Sequence, residues 1–259
     1  MSEATLTFND SAEYERFMGR WSRAVAPIFL RWMQARRHAR WLDVGCGTGI
    51  LTQTLVELCA PSSVHAIDCS AAQVKASARA TPSASFQVAD ARELPFPDAS
   101  FDVVASALVI NFIADPATAL AEMRRVVRTG GLVAGYVWDF AQDLSPSGPL
   151  RKAMRHMGLQ VPEVPGTQTS RLEALRTLFG NAGLDDVEVV TIDVTLAYSD
   201  FEDFWEAQTP AYAATTKIVT TMTKSARMRL KRTVESSLRR GPNASIEYLA
   251  RANAIRSHA

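Results

Sequence analysis

The stretch Trp41 to Gly49 reads WLDVGCGTG and runs straight into ILTQTLVELC at residues 50–59. An apolar run broken by an acid, then three alternate glycines, then apolar residues at helical spacing is the pattern of a strand, a tight turn and a helix N-terminus. Glycine suits such a turn for two reasons. It adopts backbone angles that a Cβ disfavours, and its bare surface lets a ligand approach the main-chain N–H groups.

Spacing narrows the ligand. A dinucleotide fingerprint, Gly-x-Gly-x-x-Gly, would place its third glycine at Ile50 when counted from Gly45, or at Thr52 when counted from Gly47. Neither position is glycine. The pattern is Gly-x-Gly-x-Gly with Asp43 before it, and a second acid, Asp68, ends the next apolar segment, VHAID, where a ribose-binding carboxylate is expected. One carboxylate near a ligand ammonium and another on ribose hydroxyls suit a zwitterionic nucleoside better than a pyrophosphate.

Further blocks follow in order: AIDCS at 66–70, FQVADARELPFPDASFDVV at 86–104 and EMRRVVRTGGLVAGYVW at 122–138. With LDVGCGTG at 42–49 they resemble the class I S-adenosylmethionine-dependent methyltransferases, in particular the group that includes the quinone-biosynthesis enzymes. The resemblance covers residues 40–140 and implies a cofactor, S-adenosylmethionine, which leaves as S-adenosylhomocysteine. It implies that the backbone at Gly45 and Gly47 lies under the methionine part, while Asp43 helps hold the loop and the ammonium. Asp68 would bind the ribose hydroxyls, with Cys69 against the adenine. Asp90 would accept from the exocyclic amine and the Ala91 N–H would reach a ring nitrogen. Ala107 and Leu108 would meet the ammonium through a backbone carbonyl, and Arg20, beside Trp21, would pair with the methionine carboxylate. Gln73 stands where relatives often carry methionine.

The implied reaction is in-line displacement at a sulfonium methyl, which asks mainly for alignment and exclusion of water. No catalytic base is named by the sequence. Asn111, Tyr136, Trp138 and His156 are the polar or aromatic residues to inspect. No Asn/Asp-Pro-Pro-aromatic turn follows the fourth strand, where the chain has Val109-Ile110-Asn111-Phe112, which disfavours DNA and protein amide N-methylation. No cysteine lies beyond Cys69, so a covalent cytosine C5 mechanism is excluded.

Composition sets the outer limits. The chain has 259 residues, 47% hydrophobic and 21% charged, which fits one globular domain. A net charge of +1 gives no global field that demands nucleic acid or an anionic membrane. Cys46, Cys59 and Cys69 form no CxxC pair, no metal site is expected, and nothing at the N-terminus reads as a cleavable signal, so a cytoplasmic location without a membrane partner is the expectation.

Elsewhere the pattern alternates. Two short helices divided at Pro27 are expected before the glycine turn, packing over the sheet edge. Ser70 with Gln73 opens a helix; Asp115 caps another with Pro116 at its first position, and Gly130 and Gly131 end it. The apolar run from Phe101 to Ile110 predicts a fully buried fourth strand. Residues 139–170, rich in Pro, Gly and Ser around a short helix at 150–157, read as an insertion or lid. Capping pairs Ser170–Glu173 and Ser199–Glu202 open later helices, and residues 245–257 read as a seventh strand. The whole predicts an α/β, doubly wound, seven-stranded and mostly parallel Rossmann-like sheet: an N-terminal cover over 1–40, a cofactor-binding core over 41–138 and a helical lid over about 200–241. Phe204, Trp205 and Tyr212 give that lid an aromatic character suited to a small organic acceptor. Arg227, Arg229, Lys231, Arg232, Arg239 and Arg240 read as the wet side of an amphipathic helix, with an RNA substrate as the alternative. A cofactor-binding module without turnover is the non-enzymatic alternative.

Overall fold

A computed structural model describes residues 15–211 and 213–259, so Tyr212 and the start of the N-terminal cover lie outside the described residues. After a π-helical turn at Glu15–Gly19 the elements run α1 (Arg20–Met33), β1 (Arg40–Val44), α2 (Ile50–Cys59), β2 (Ser63–Asp68), α3 (Ala71–Ala80), β3 (Ser85–Val88), β4 (Phe101–Ala107), α4 (Pro116–Val126) and β5 (Val127–Trp138). The second half holds α5 (Gly148–His156), α6 (Leu172–Asn181), β6 (Asp185–Tyr198), α7 (Phe201–Gln208), α8 (Ala214–Thr221), α9 (Lys224–Ser236), β7 (Arg239–Arg240) and β8 (Ile246–His258).

These strands form one sheet in the order β3-β2-β1-β4-β5-β8-β6, with the two-residue β7 beside β8. The pairs among β1 to β5 are parallel, whereas β8 is antiparallel to both β5 and β6. Eight strands therefore replace the expected seven, and the last long strand is inserted between β5 and β6. Its residues 252–255 are buried on both faces, as an interior strand requires. Along β6 the pattern alternates, and Asp185, Asp186, Glu188 and Asp193 leave an edge resistant to further pairing.

Alternation along β1 assigns its faces. Trp41 points into the apolar layer under α1 and α2, while Leu42 and Val44 point into the layer with α4 and α6. Helix α1 is continuous through Pro27 rather than divided there. Its buried residues Trp21, Val25, Phe29 and Met33 recur every fourth position, and Phe29 lies against Tyr136 with ring centroids 4.8 Å apart. That buried stripe outweighs the local penalty of about 3 kcal/mol for an interior proline.

Other expectations shift. Strand β4 ends at Ala107 rather than Ile110: Leu108 turns with φ 62°, and Ile110 and Asn111 are buried in a 3-10 turn. Gly130 and Gly131 do not end α4, which stops at Val126; they lie within β5, where four residues bulge out between Val127 and Leu132. A Cβ on Gly131 would lie 2.9 Å from the Asp102 carbonyl oxygen, so the bulge needs glycine there. Ser170 does not cap α6. It is buried, donating to the Thr167 carbonyl and accepting from the Ala141 N–H. The cap of α7 moves one residue on, Asp200 accepting from the Asp203 N–H rather than Ser199 acting with Glu202. Asp115 and Ser70 cap α4 and α3 as expected.

Asp102 ties three strands together. Its Oδ2 accepts from the Arg40 backbone N–H at 2.8 Å and its Oδ1 from Arg128 Nε at 2.6 Å. Burial works against its charge, but these hydrogen bonds outweigh it and hold the carboxyl well below the ordinary range. Asp102→Ala is expected to lose about 1–2 kcal/mol in urea denaturation at pH 7, the partial exposure of both guanidinium groups keeping the effect modest. Because the folded pKa is depressed, that contribution is present above the unfolded value and lost below it. The gap between variant and parent should therefore close as pH falls beneath about 4.

Candidate functional site

Parallel pairing brings the C-terminal ends of β1, β2, β3 and β4 to one rim, which collects Gly45, Asp68, Asp90 and Ala107 there. The turn after β1 carries Gly45, Gly47 and Gly49 at φ 77°, 53° and 87°, all in the left-handed region. Their surroundings differ. A Cβ on Gly45 would lie 2.5 Å from Val109 Cγ2, and one on Gly49 would lie 3.1 Å from Ser77 Cβ, so these two glycines serve packing. At Gly47 an added Cβ would meet nothing within 4 Å. That is the bare peptide face.

Neighbouring elements fix this turn. The Gly45 and Cys46 N–H groups both donate to the Ile67 carbonyl at 2.8 Å. Asp68 Oδ2 accepts from the Gly47 N–H at 3.0 Å, and its Oδ1 accepts from the Ser70 N–H at 2.8 Å. Ser77 donates its hydroxyl to the Gly47 carbonyl. Asp68 therefore clamps the loop and the start of α3 at once, and two acceptor positions on the carboxylate stay available.

Asp43 lies beneath the loop, fully buried, on the face of β1 that meets α2. Its Oδ2 accepts from Thr52 Oγ1 at 2.6 Å, while its Oδ1 has no hydrogen-bond partner among the described residues. Burial pushes its pKa up to about 7, with the Thr52 hydrogen bond opposing and Asp68 adding to the rise. The Cys46 thiol is also pushed up by burial, with Asp43 and Asp68 adding to it, so it is no nucleophile at neutral pH.

Farther along the rim, Cys69 is exposed beside Asp68. Asp90 is exposed and clamped by Arg92, which donates its backbone N–H at 2.8 Å and its Nη2 at 2.7 Å. These bonds lower the Asp90 pKa, and the Glu93 N–H closes a turn on its carbonyl. Ala91 is half-buried against the α4 side of the core. Ala107 and Leu108 are half-buried, and the Leu108 N–H donates to the Tyr136 carbonyl at 2.7 Å.

Arg20 is not brought to this group. Its Nη2 donates to the Ala197 carbonyl on β6, its Nη1 meets Asp203, and its guanidinium lies 4.5 Å from the centre of the Tyr198 ring. Strand β6 is four strands from β1, or roughly 19 Å at normal spacing. Aromatic packing of Trp21 against Trp138 and Tyr248 fixes the start of α1 at that distance. Tyr136 and Trp138 are core residues, His156 is exposed at the end of α5, and Gln73 is buried one turn into α3. Asn111 is buried and donates to the Pro165 carbonyl at 3.1 Å.

Among the lid residues, Phe204 and Trp205 are buried in α7. In the basic segment Leu230 and Val234 are the buried stripe of α9. Lys231 pairs with Glu202, Arg240 with Glu235 and Arg239 with Glu247, as a solvated face would. Sequence reasoning missed Thr52, Ser77, Arg92 and Val109. For Thr52 and Ser77 a signal existed: each is a hydroxyl on the helix that follows a rim acid, the former in its first turn. Val109 and Arg92 carried none, since their roles depend on how two loops fold back.

Residues 42–135 match the methyltransferase domain family. Among curated proteins, a demethylmenaquinone methyltransferase from Renibacterium salmoninarum is 37% identical over 112 residues, 43% of this chain and 45% of that protein. A malonyl-[acyl-carrier protein] O-methyltransferase from Halorhodospira halophila is 35% identical over 132 residues, 49% of this chain and 45% of that protein. The chain thus spans about half the length of the curated relatives it matches. Among solved structures, phosphoethanolamine N-methyltransferase 2 from Haemonchus contortus, in complex with phosphomonomethylethanolamine and S-adenosylhomocysteine, aligns with a TM-score of 0.60 at 18% identity, covering 98% of this chain and 58% of that one. At that identity the likeness is one of fold. Residues 42–135 thus carry the match to the methyltransferase domain family, and the sheet around them has the fold of a solved methyltransferase.

Proposed function

We propose that the protein transfers a methyl group from S-adenosylmethionine to a small organic acceptor. The observation that carries this reading is the bare face at Gly47, open above the loop, with a carboxylate that still has free acceptor positions at the tip of the next strand. The cofactor supplies a methyl already activated for displacement by its sulfonium charge.

In this reading the backbone at Gly45 and Gly47 lies under the amino-acid end, the bare Gly47 face giving it close approach, and Ala107 and Leu108 border the same space. The free acceptor positions of Asp68 take the ribose hydroxyls. Cys69 flanks the base, and Asp90 with Ala91 meets its edge once Arg92 gives up one of its contacts. Arg20, held on β6, has no part in it. Asp43 is enclosed, so it acts through the loop. A cationic ligand above favours its ionised form, and the ionised form in turn favours the ligand. The chain's contribution to rate is alignment and exclusion of water, so no general base is assigned. The relatives named for a quinone precursor and an acyl carrier protein substrate support a methyl acceptor outside nucleic acid, and the pairing of Lys231, Arg239 and Arg240 with acids within the chain supports the same view.

Titration calorimetry with S-adenosylhomocysteine tests the cofactor site. Saturable binding is expected, and Asp68→Ala should weaken it by about 1–2 kcal/mol or more, because charge-assisted bonds and the loop clamp are both lost. No saturable uptake by the parent protein would end the reading.

Asp43 gives an independent check. Its folded pKa lies above the unfolded value of 3.8, so its contribution to stability is full below about pH 4 and is lost as pH rises through about 7. Asp43→Asn keeps the shape and still accepts from Thr52. Relative to the parent it should gain stability from pH 4 to 7 and then level off, read by urea denaturation of the two proteins side by side. A pH-independent difference would show that burial does not hold Asp43 neutral.

A further inference from the structure

The segment after β5 borders an open cavity of about 250 Å³ in which Phe140, Val161 and Val164 stand beside the charged Asp143, Arg151 and Glu163. Arg151 is 8% exposed, which is rare for an arginine without a carboxylate partner. Its Nη2 donates to the Pro162 carbonyl at 2.6 Å, and it makes no ion pair among the described residues. Asp143 and Glu163 line the same pocket and offset its charge in part, but neither is paired with it. Asp143 is taken by Arg155, and Glu163 is exposed without pairing to Arg151. Burial, with Arg155 adding to it, pushes the Arg151 pKa down against the opposing pull of Asp143 and Glu163, the sign of a charge only partly compensated. A buried guanidinium with one neutral partner has donors to spare and lacks a counter-ion.

The cavity's position ties it to the rim. Phe140 stands two residues past the end of β5, and its ring lies 6.3 Å from that of Phe112, which follows β4. Gly166, in the same covering segment, is so close to Asn111 that a Cβ there would collide with the Asn111 carbonyl oxygen. Val109, two residues earlier, is the side chain packed on Gly45. Cavity and glycine loop are therefore linked by one continuous packed segment, and β5 is two strands from β1, roughly 10 Å.

We propose that this cavity takes the carboxylate end of the methyl acceptor on Arg151, so that the substrate is a small organic acid. A carboxylate matches the planar fork of the guanidinium with two parallel hydrogen bonds and supplies the missing unit charge. The volume falls just under that of common ligand pockets, as expected for one end of a small molecule whose other end projects toward the loop. This inference rests on the methyl-transfer reading above.

The test uses the full chain and two measurements that fail separately. S-adenosylhomocysteine titration reads the cofactor site alone; Arg151→Met should bind it within about twofold of the parent, which also shows that the variant is folded. Methyl-labelled S-adenosylmethionine is then incubated with cell-extract metabolites separated on an anion exchanger. Label should enter a fraction the exchanger retains, and for the acceptor in that fraction Arg151→Met should raise KM about 30-fold or more with a smaller change in kcat. Arg151→Lys, which keeps the charge and loses the fork, should fall between, and it serves if the methionine variant does not fold. Label confined to unretained neutral or cationic metabolites, or an unchanged KM in Arg151→Met, would overturn the proposal. So would cofactor binding with no labelled product from any fraction. Absence of cofactor binding in the parent would instead overturn the reading on which it rests.

Discussion

The Asp68 carboxylate, bound at once to the Gly47 N–H and the Ser70 N–H, is the contact through which strand tip, glycine loop and helix α3 hold one geometry. Left-handed glycines alone give a loop that can open at small cost. Here the loop is pinned from three sides: two N–H groups share the Ile67 carbonyl, Asp68 takes a third, and Ser77 holds the Gly47 carbonyl. What is left is a rigid peptide surface facing outward at Gly47. Preorganisation of that kind places the ordering cost in folding, so that little remains to be spent when a ligand binds.

Charge at the rim follows one logic. Asp43 is enclosed and driven toward neutrality, Asp68 spends half its acceptors on backbone, and Asp90 is held by Arg92. Each acid is partly compensated before any ligand arrives. Arg151 is the reverse case, a buried cation that no acid pairs with among the described residues. Complementary deficits on neighbouring parts of one rim suit two reactants of different charge, one with a cationic centre and one with an anionic end.

Much of the rim could be read from residues 41–90, because β1 and β2 are short, run into a glycine or an acid, and lead at once into a helix. Local chemistry and chain order coincide there, and parallel strands force the tips to one side. Arg20 shows where such reading stops. Its sequence neighbours suggest a cover near the loop, yet Trp21 docks on Trp138 and Tyr248 and carries the arginine to β6. The glycine pair at 130–131 misled for a similar reason: a bulge and a helix end ask for the same residue, and the pairing of β5 with β4 distinguishes them.

The sequence by itself determined the strand–turn–helix unit, the rim acids, the caps at Ser70 and Asp115 and the parallel half of the sheet, since each follows from patterns within a few residues or from connection rules. Tertiary structure alone decided that β8 enters between β5 and β6, that α1 runs unbroken through Pro27, that Asp43 is enclosed and that Arg151 is buried without an ion pair among the described residues. Those outcomes depend on contacts between segments far apart in the chain, where burial and long-range pairing outweigh the local preferences that periodicity reports.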